Sequence, residues 1–103
     1  MLDLQYSREK LEELCRRYHV RKLSVFGSRA RGDARADSDL DLLVEFDPDH
    51  MPGWEYFTLE HELSDLFKLR VELSTERGLR EWARKNAMID AKPLYFGPRQ
   101  SVH

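Results

Sequence analysis

Two aspartates, Asp39 and Asp41, stand at i and i+2 at the head of the run Asp39-Leu40-Asp41-Leu42-Leu43-Val44-Glu45-Phe46. Asp39, Asp41, Leu43 and Glu45 fall on one face of this run, and Leu40, Leu42, Val44 and Phe46 on the other. A period of two predicts a strand, so the two carboxylates point the same way, with Cα atoms about 6–7 Å apart. Parallel carboxylates at that spacing can share divalent cations. Mg²⁺ takes hard oxygen ligands, commonly one or two carboxylates plus substrate phosphates. In two-metal sites the ions lie about 3.5–4 Å apart, a gap such a pair can bridge. A lone D-x-D is also what a solvent-exposed strand face looks like.

The residues upstream narrow that choice. Val20 to Phe26 is rich in β-branched and apolar residues and predicts a strand. It runs into Gly27-Ser28, followed by Arg29-Ala30-Arg31-Gly32. Glycine lets backbone approach a ligand closely. A strand ending in Gly-Ser ahead of a short helix offers N–H groups and a hydroxyl to a phosphate. Arg29 and Arg31 add positive charge beside them. By themselves these residues also fit a turn with an N-capping serine.

Taken together, G-S-x-A-R-G followed by S-D-x-D-L on the next strand resembles the nucleotidyltransferase superfamily that includes DNA polymerase beta and kanamycin nucleotidyltransferase. The length and layout are similar to its minimal nucleotidyltransferase, or MNT, domain. The resemblance runs from the leading helix to about Phe96. It implies that Gly27 and Ser28 bind a nucleoside triphosphate, with Arg29 and Arg31 alongside. It also implies that Asp39 and Asp41 hold Mg²⁺. The family carries a third carboxylate on a following strand, usually an aspartate in a V-D-L context. Here that stretch is Arg70-Val71-Glu72-Leu73, which puts Glu72 in the third position. Glutamate keeps the charge and the oxygen ligands but is one methylene longer, and catalytic geometry tolerates only about 0.5 Å of misplacement. Glu72 is thus either a metal ligand that helps deprotonate the acceptor hydroxyl or a strand residue in a domain of weakened catalysis.

The activity implied is Mg²⁺-dependent transfer of a nucleoside monophosphate, AMP from ATP, to a hydroxyl of a partner protein. Domains of this kind commonly occur with a separate helical HEPN protein. The resemblance therefore implies the antitoxin of a toxin–antitoxin pair. The alternative is a catalytically weak module that neutralises its partner by binding it.

These residues need elements to position them. Ser7 can N-cap a helix from Arg8 to Tyr18, whose stripe is Leu11, Leu14, Cys15 and Tyr18. Asp47 to Gly53 reads as a loop. Trp54 to Phe67 reads as a second amphipathic helix built on Leu59, Leu63, Leu66 and Phe67. A third strand is expected over Leu69–Ser74, a third helix over Leu79–Met88 and a short edge strand over Lys92–Phe96. This order predicts an α/β (α+β) domain, a small mixed sheet flanked by helices, spanning residues 1–97 with a tail at 98–103.

Composition bounds the rest. The chain has 103 residues, the size of one domain, and 41% of them are apolar, enough for one core. Its net charge of −2 excludes a strongly basic chain and argues against direct nucleic-acid binding. No apolar run reaches the length of a membrane span, and residues 1–10 hold no secretory h-region. The single cysteine, Cys15, is expected to be a buried hydrophobe, and the expected location is the cytoplasm. The four histidines lack metal-finger spacing and are expected at the surface or rim. Trp54, Tyr56 and Phe57 fit core or partner interface better than base stacking. Glu45 shares the aspartates' face but lies too far along the strand, roughly 13 Å beyond Asp41, to join them.

Overall fold

A computed structural model describes residues 4–75, 78 and 91–97 of the chain. Helix α1 spans Arg8–Arg17, and the Ser7 side chain accepts the Lys10 N–H at 3.3 Å at its start. Arg16 and Arg17 in its last turn complement the helix dipole. Strand β1 follows over Val20–Phe26, then the single helical turn α2 over Ser28–Arg31, which ends at Gly32 in the left-handed conformation. Strand β2 spans Leu40–Phe46, and a 3₁₀ turn at Pro48–His50 leads to helix α3 over Glu55–Phe67. Lys68, with φ of 56°, closes α3, and strands β3 over Val71–Thr75 and β4 over Lys92–Phe96 complete the described elements.

The four strands form one mixed sheet in the order β3-β2-β1-β4. β1 is antiparallel to both β2 and β4, and β2 is parallel to β3. The inner face carries Leu40, Leu42, Val44 and Phe46 of β2, Leu23 and Val25 of β1, and Val71 and Leu73 of β3, all buried. Leu11, Leu14 and Cys15 of α1 and Leu59, Leu63 and Phe67 of α3 cover it in a single core. Each such aliphatic side chain contributes about 1.5–3 kcal/mol on leaving water. The core therefore holds the sheet from one side, and the other face carries the polar positions.

The small mixed sheet flanked by helices is as the sequence predicts, with two shifts of boundary. β2 begins at Leu40, so Asp39 sits at the mouth of the strand rather than within it. β3 begins at Val71 rather than Leu69, because Lys68 and Leu69 are used to turn the chain, with Leu69 N–H bonded to the Ser64 carbonyl at 3.3 Å. The helix expected over 79–88 and the tail at 98–103 lie outside the described residues. The aromatic cluster expected in the core or a partner interface is divided. Trp54 is 74% and Phe57 69% exposed, whereas Tyr56 is half-buried against the core. His19 and His50 stack at the rim with ring centroids 4.0 Å apart. Cys15 is fully buried, and burial pushes its thiol up to about 12, which removes it as a nucleophile.

Candidate active site

The register of the sheet assembles the site. In the antiparallel pair, Phe26 at the end of β1 faces Asp41 on β2. In the parallel pair, Asp41 faces Glu72 on β3. Both carboxylates lie on the face away from the helices, since Leu40, Leu42, Val71 and Leu73 point into the core. The strand at which β1 stops, the Gly27-Ser28 turn and the two acidic positions thus meet at one end of the sheet.

Asp41 and Glu72 are direct partners across the parallel β2–β3 ladder, close enough for one carboxyl to act on the other. Burial, then the neighbouring Glu72 carboxyl, then the charge of Asp39 push Asp41 up to about 6, while Arg31 opposes the shift. Asp39, half-exposed at the mouth of β2, is therefore close enough to feel electrostatically but is not bonded into the pair. Among the described residues no three His, Cys, Asp or Glu side chains are already gathered so as to hold a metal ion. The donor set nevertheless fits a hard divalent cation. Carboxylates crowded on adjacent strands repel once deprotonated, and a cation between them relieves that repulsion.

Gly27 is required by this crowding. Its φ is +75°, and a Cβ built on it stands 2.6 Å from Asp41 Oδ2. The glycine thus leaves room for the aspartate as well as forming the turn. Behind it, the Ala30 and Arg31 amides return to the Gly27 carbonyl at 3.1 Å each, and Ser28 opens α2 beside the acidic pair.

The two arginines are used differently. Arg29 is turned toward the loop before β2. Its guanidinium donates to the carbonyls of Arg35 at 3.4 Å, Ala36 at 3.2 Å and Ser38 at 2.7 Å. The Ser38 hydroxyl accepts the Arg35 amide at 2.9 Å, so the loop is closed on itself and on Arg29 directly before Asp39. Arg31 meets Asp33 at 3.3 Å and lends positive potential to Asp41. Glu45, at the far end of β2, is exposed and 4.0 Å from Arg21, remote from the cluster as its spacing predicts. A groove of about 960 Å³ lies between α1 and α3 and reaches this region through Arg29 and Ala36. The chemistry sits at the strand ends and not in that groove. The loop clamp made by Arg29 has no signature in the sequence, since it depends on where residues 33–38 fold back.

Comparison with known proteins places the chain in a family. Residues 7–95 match the family model for the nucleotidyltransferase domain. The protein adenylyltransferase MntA of Thermococcus cleftensis is 38% identical over 78 residues, 75% of this chain and 77% of the relative. Two Methanocaldococcus jannaschii proteins assigned the same activity are 38% and 35% identical, over 64% and 83% of their own lengths and 61% and 70% of this chain. A solved structure assigned as a minimal nucleotidyltransferase superposes with a TM-score of 0.70 at 41% identity, covering 84% of this chain and 88% of that one. A toxin–antitoxin structure with AMP-PNP superposes with a TM-score of 0.69 at 22% identity, covering 91% of this chain and 76% of that one, and shares the fold. The chain belongs to the nucleotidyltransferase domain family.

Proposed function

We propose that this chain transfers AMP from ATP to a hydroxyl of a helical HEPN-type partner protein, as the antitoxin of a toxin–antitoxin pair, in a Mg²⁺-dependent reaction. The observation that carries the reading is the register that sets Asp41 against Glu72 beside the Gly27-Ser28 turn. The similarity to MntA of T. cleftensis supports adenylate as the transferred group. A HEPN partner is supported by the shared fold with the MNT antitoxin of the tri-AMPylated HEPN toxin complex from Shewanella oneidensis, at a TM-score of 0.62.

In this reading the acceptor oxygen forms a bond to the α-phosphorus, the bond between the α-phosphorus and its bridging oxygen breaks, and pyrophosphate leaves. Asp39, Asp41 and Glu72 would hold a divalent cation, which would supply Lewis-acid stabilisation of the phosphoryl charge and acidify the attacking hydroxyl. The Gly27-Ser28 turn binds the triphosphate, with Arg31 providing positive potential and Arg29 holding the loop that presents Asp39. Glu72, exposed beside Asp41, receives the acceptor's proton. The protein's part is positioning and charge stabilisation.

The test is transfer of label from α-labelled ATP to a HEPN-type helical protein, with an Asp39→Asn, Asp41→Asn double variant as control. Label on the partner that disappears with the variant is the expected result. No label from wild type, with a tight complex and full neutralisation by the double variant, favours the binding module instead.

A further inference from the structure

β3 is an edge of the described sheet. In a parallel ladder, alternate residues of a strand bond to the neighbour and the others turn their N–H and C=O away. The Arg70 carbonyl accepts the Leu40 N–H at 2.8 Å, so Arg70 faces β2, and by alternation so does the backbone of Glu72. Val71 and Leu73 therefore present their backbone groups outward. An open edge of this kind is a ready template for wrong pairing and for slippage.

Three of those outward groups are taken by side chains of α3. Ser64 Oγ accepts the Val71 N–H at 3.1 Å, and Glu60 Oε2 accepts the Leu73 N–H at 2.9 Å. The Tyr56 hydroxyl donates to the Leu73 carbonyl. Tyr56, Glu60 and Ser64 recur every fourth residue, so they form one stripe along the helix. The Ser64 hydroxyl also donates to the Glu60 carbonyl at 3.0 Å, which ties the stripe together. Leu73, the residue directly after Glu72, is thus held at both its N–H and its C=O. A slip of one residue in β3 turns Glu72 to the core face and takes it away from Asp41.

We propose that Tyr56, Glu60 and Ser64 act as a side-chain substitute for a fifth strand, and that Glu60 is a positioning residue that holds Glu72 opposite Asp41 for metal binding. The inference rests on the reading of Glu72 as the third carboxylate. It requires an acceptor oxygen at position 60 and not its charge, because the bond is to a backbone N–H.

The test compares wild type, Glu60→Gln and Glu60→Met, with Tyr56→Phe as a milder variant that removes one hydroxyl. Amide hydrogen exchange at Leu73, Mn²⁺ affinity and adenylate transfer are read on each. Glu60→Met is expected to quicken Leu73 exchange at least tenfold and weaken Mn²⁺ binding about tenfold, the range typical of residues that orient metal ligands. Glu60→Gln is expected to keep both near wild type. Tyr56→Phe is expected to change both in the same direction as Glu60→Met and by less, so the claim stands on a folded protein even if Glu60→Met unfolds. Fast Leu73 exchange with wild-type Mn²⁺ affinity in Glu60→Met, or in Tyr56→Phe, overturns the positioning role. So does a Glu60→Gln variant as impaired as Glu60→Met. Wild type that binds Mn²⁺ through this ladder but transfers nothing overturns the transferase reading and leaves the inference standing. Wild type that binds no Mn²⁺ overturns both.

Discussion

Asp41 concentrates the demands of the site in one side chain. It is half-buried, faces Glu72 across the β2–β3 ladder and is held up to about 6 by burial and by its acidic neighbours. A carboxyl whose pKa rises on folding binds its proton more tightly in the folded chain than in the unfolded one. Its contribution to stability is complete below the ordinary value of 3.8 and is lost as the pH rises through about 6. Asp41→Asn removes that loss. Without metal, the variant is expected to melt above wild type at about pH 7.5, and the gap is expected to close near pH 4. Thermal melts at the two pH values check this, and a variant that melts lower at both contradicts the crowding described here. Gly27 carries the second prediction at this scale. Gly27→Ala places a methyl 2.6 Å from Asp41 Oδ2 on a backbone with φ of +75°. The expected cost is about 1–3 kcal/mol in urea unfolding, with transfer lowered at least tenfold as the aspartate is displaced.

Among the elements, the loop at 33–38 and the strand it feeds depend on a single guanidinium. Arg29 reaches three carbonyls in a fork that a lysine cannot reproduce. Arg29→Met and Arg29→Lys are both expected to lower kcat about tenfold while the melting temperature moves little. Steady-state kinetics beside a thermal melt separate this from general destabilisation, and full rescue by lysine contradicts it. The elements also show what was legible in the sequence. The alternation from Leu40 to Phe46, the Ser7 cap and the Leu59-Leu63-Phe67 stripe specify their elements because each is a local pattern. The pairing of Asp41 with Glu72 followed from family likeness and not from spacing, since register between β2 and β3 is set by the packing of both against α3. Tyr56, Glu60 and Ser64 look like an ordinary polar flank of a helix. Their bonds to β3 exist only once the sheet edge is beside them.

At the scale of the molecule, the architecture separates support from chemistry. α1 and α3 cover one face of the sheet, and the carboxylates stand on the other, at the end where β1 stops and β2 begins. No helix among the described residues is long and apolar enough to cross a membrane. With a net charge of −2, the chain has little general attraction for polyphosphates, so the proposed nucleotide binding rests on the local site. In the proposed function, Asp41 and Glu72, brought together by the β2–β3 register, bind the divalent cation that accompanies the nucleotide. The most direct measurement is a Mn²⁺ titration by electron paramagnetic resonance, in the presence of a non-hydrolysable ATP analogue, on wild type, Asp41→Asn and Glu72→Gln. Wild type is expected to bind the Mn²⁺–nucleotide complex, and each substitution is expected to weaken binding at least tenfold. Binding by Glu72→Gln as tight as by wild type would contradict it.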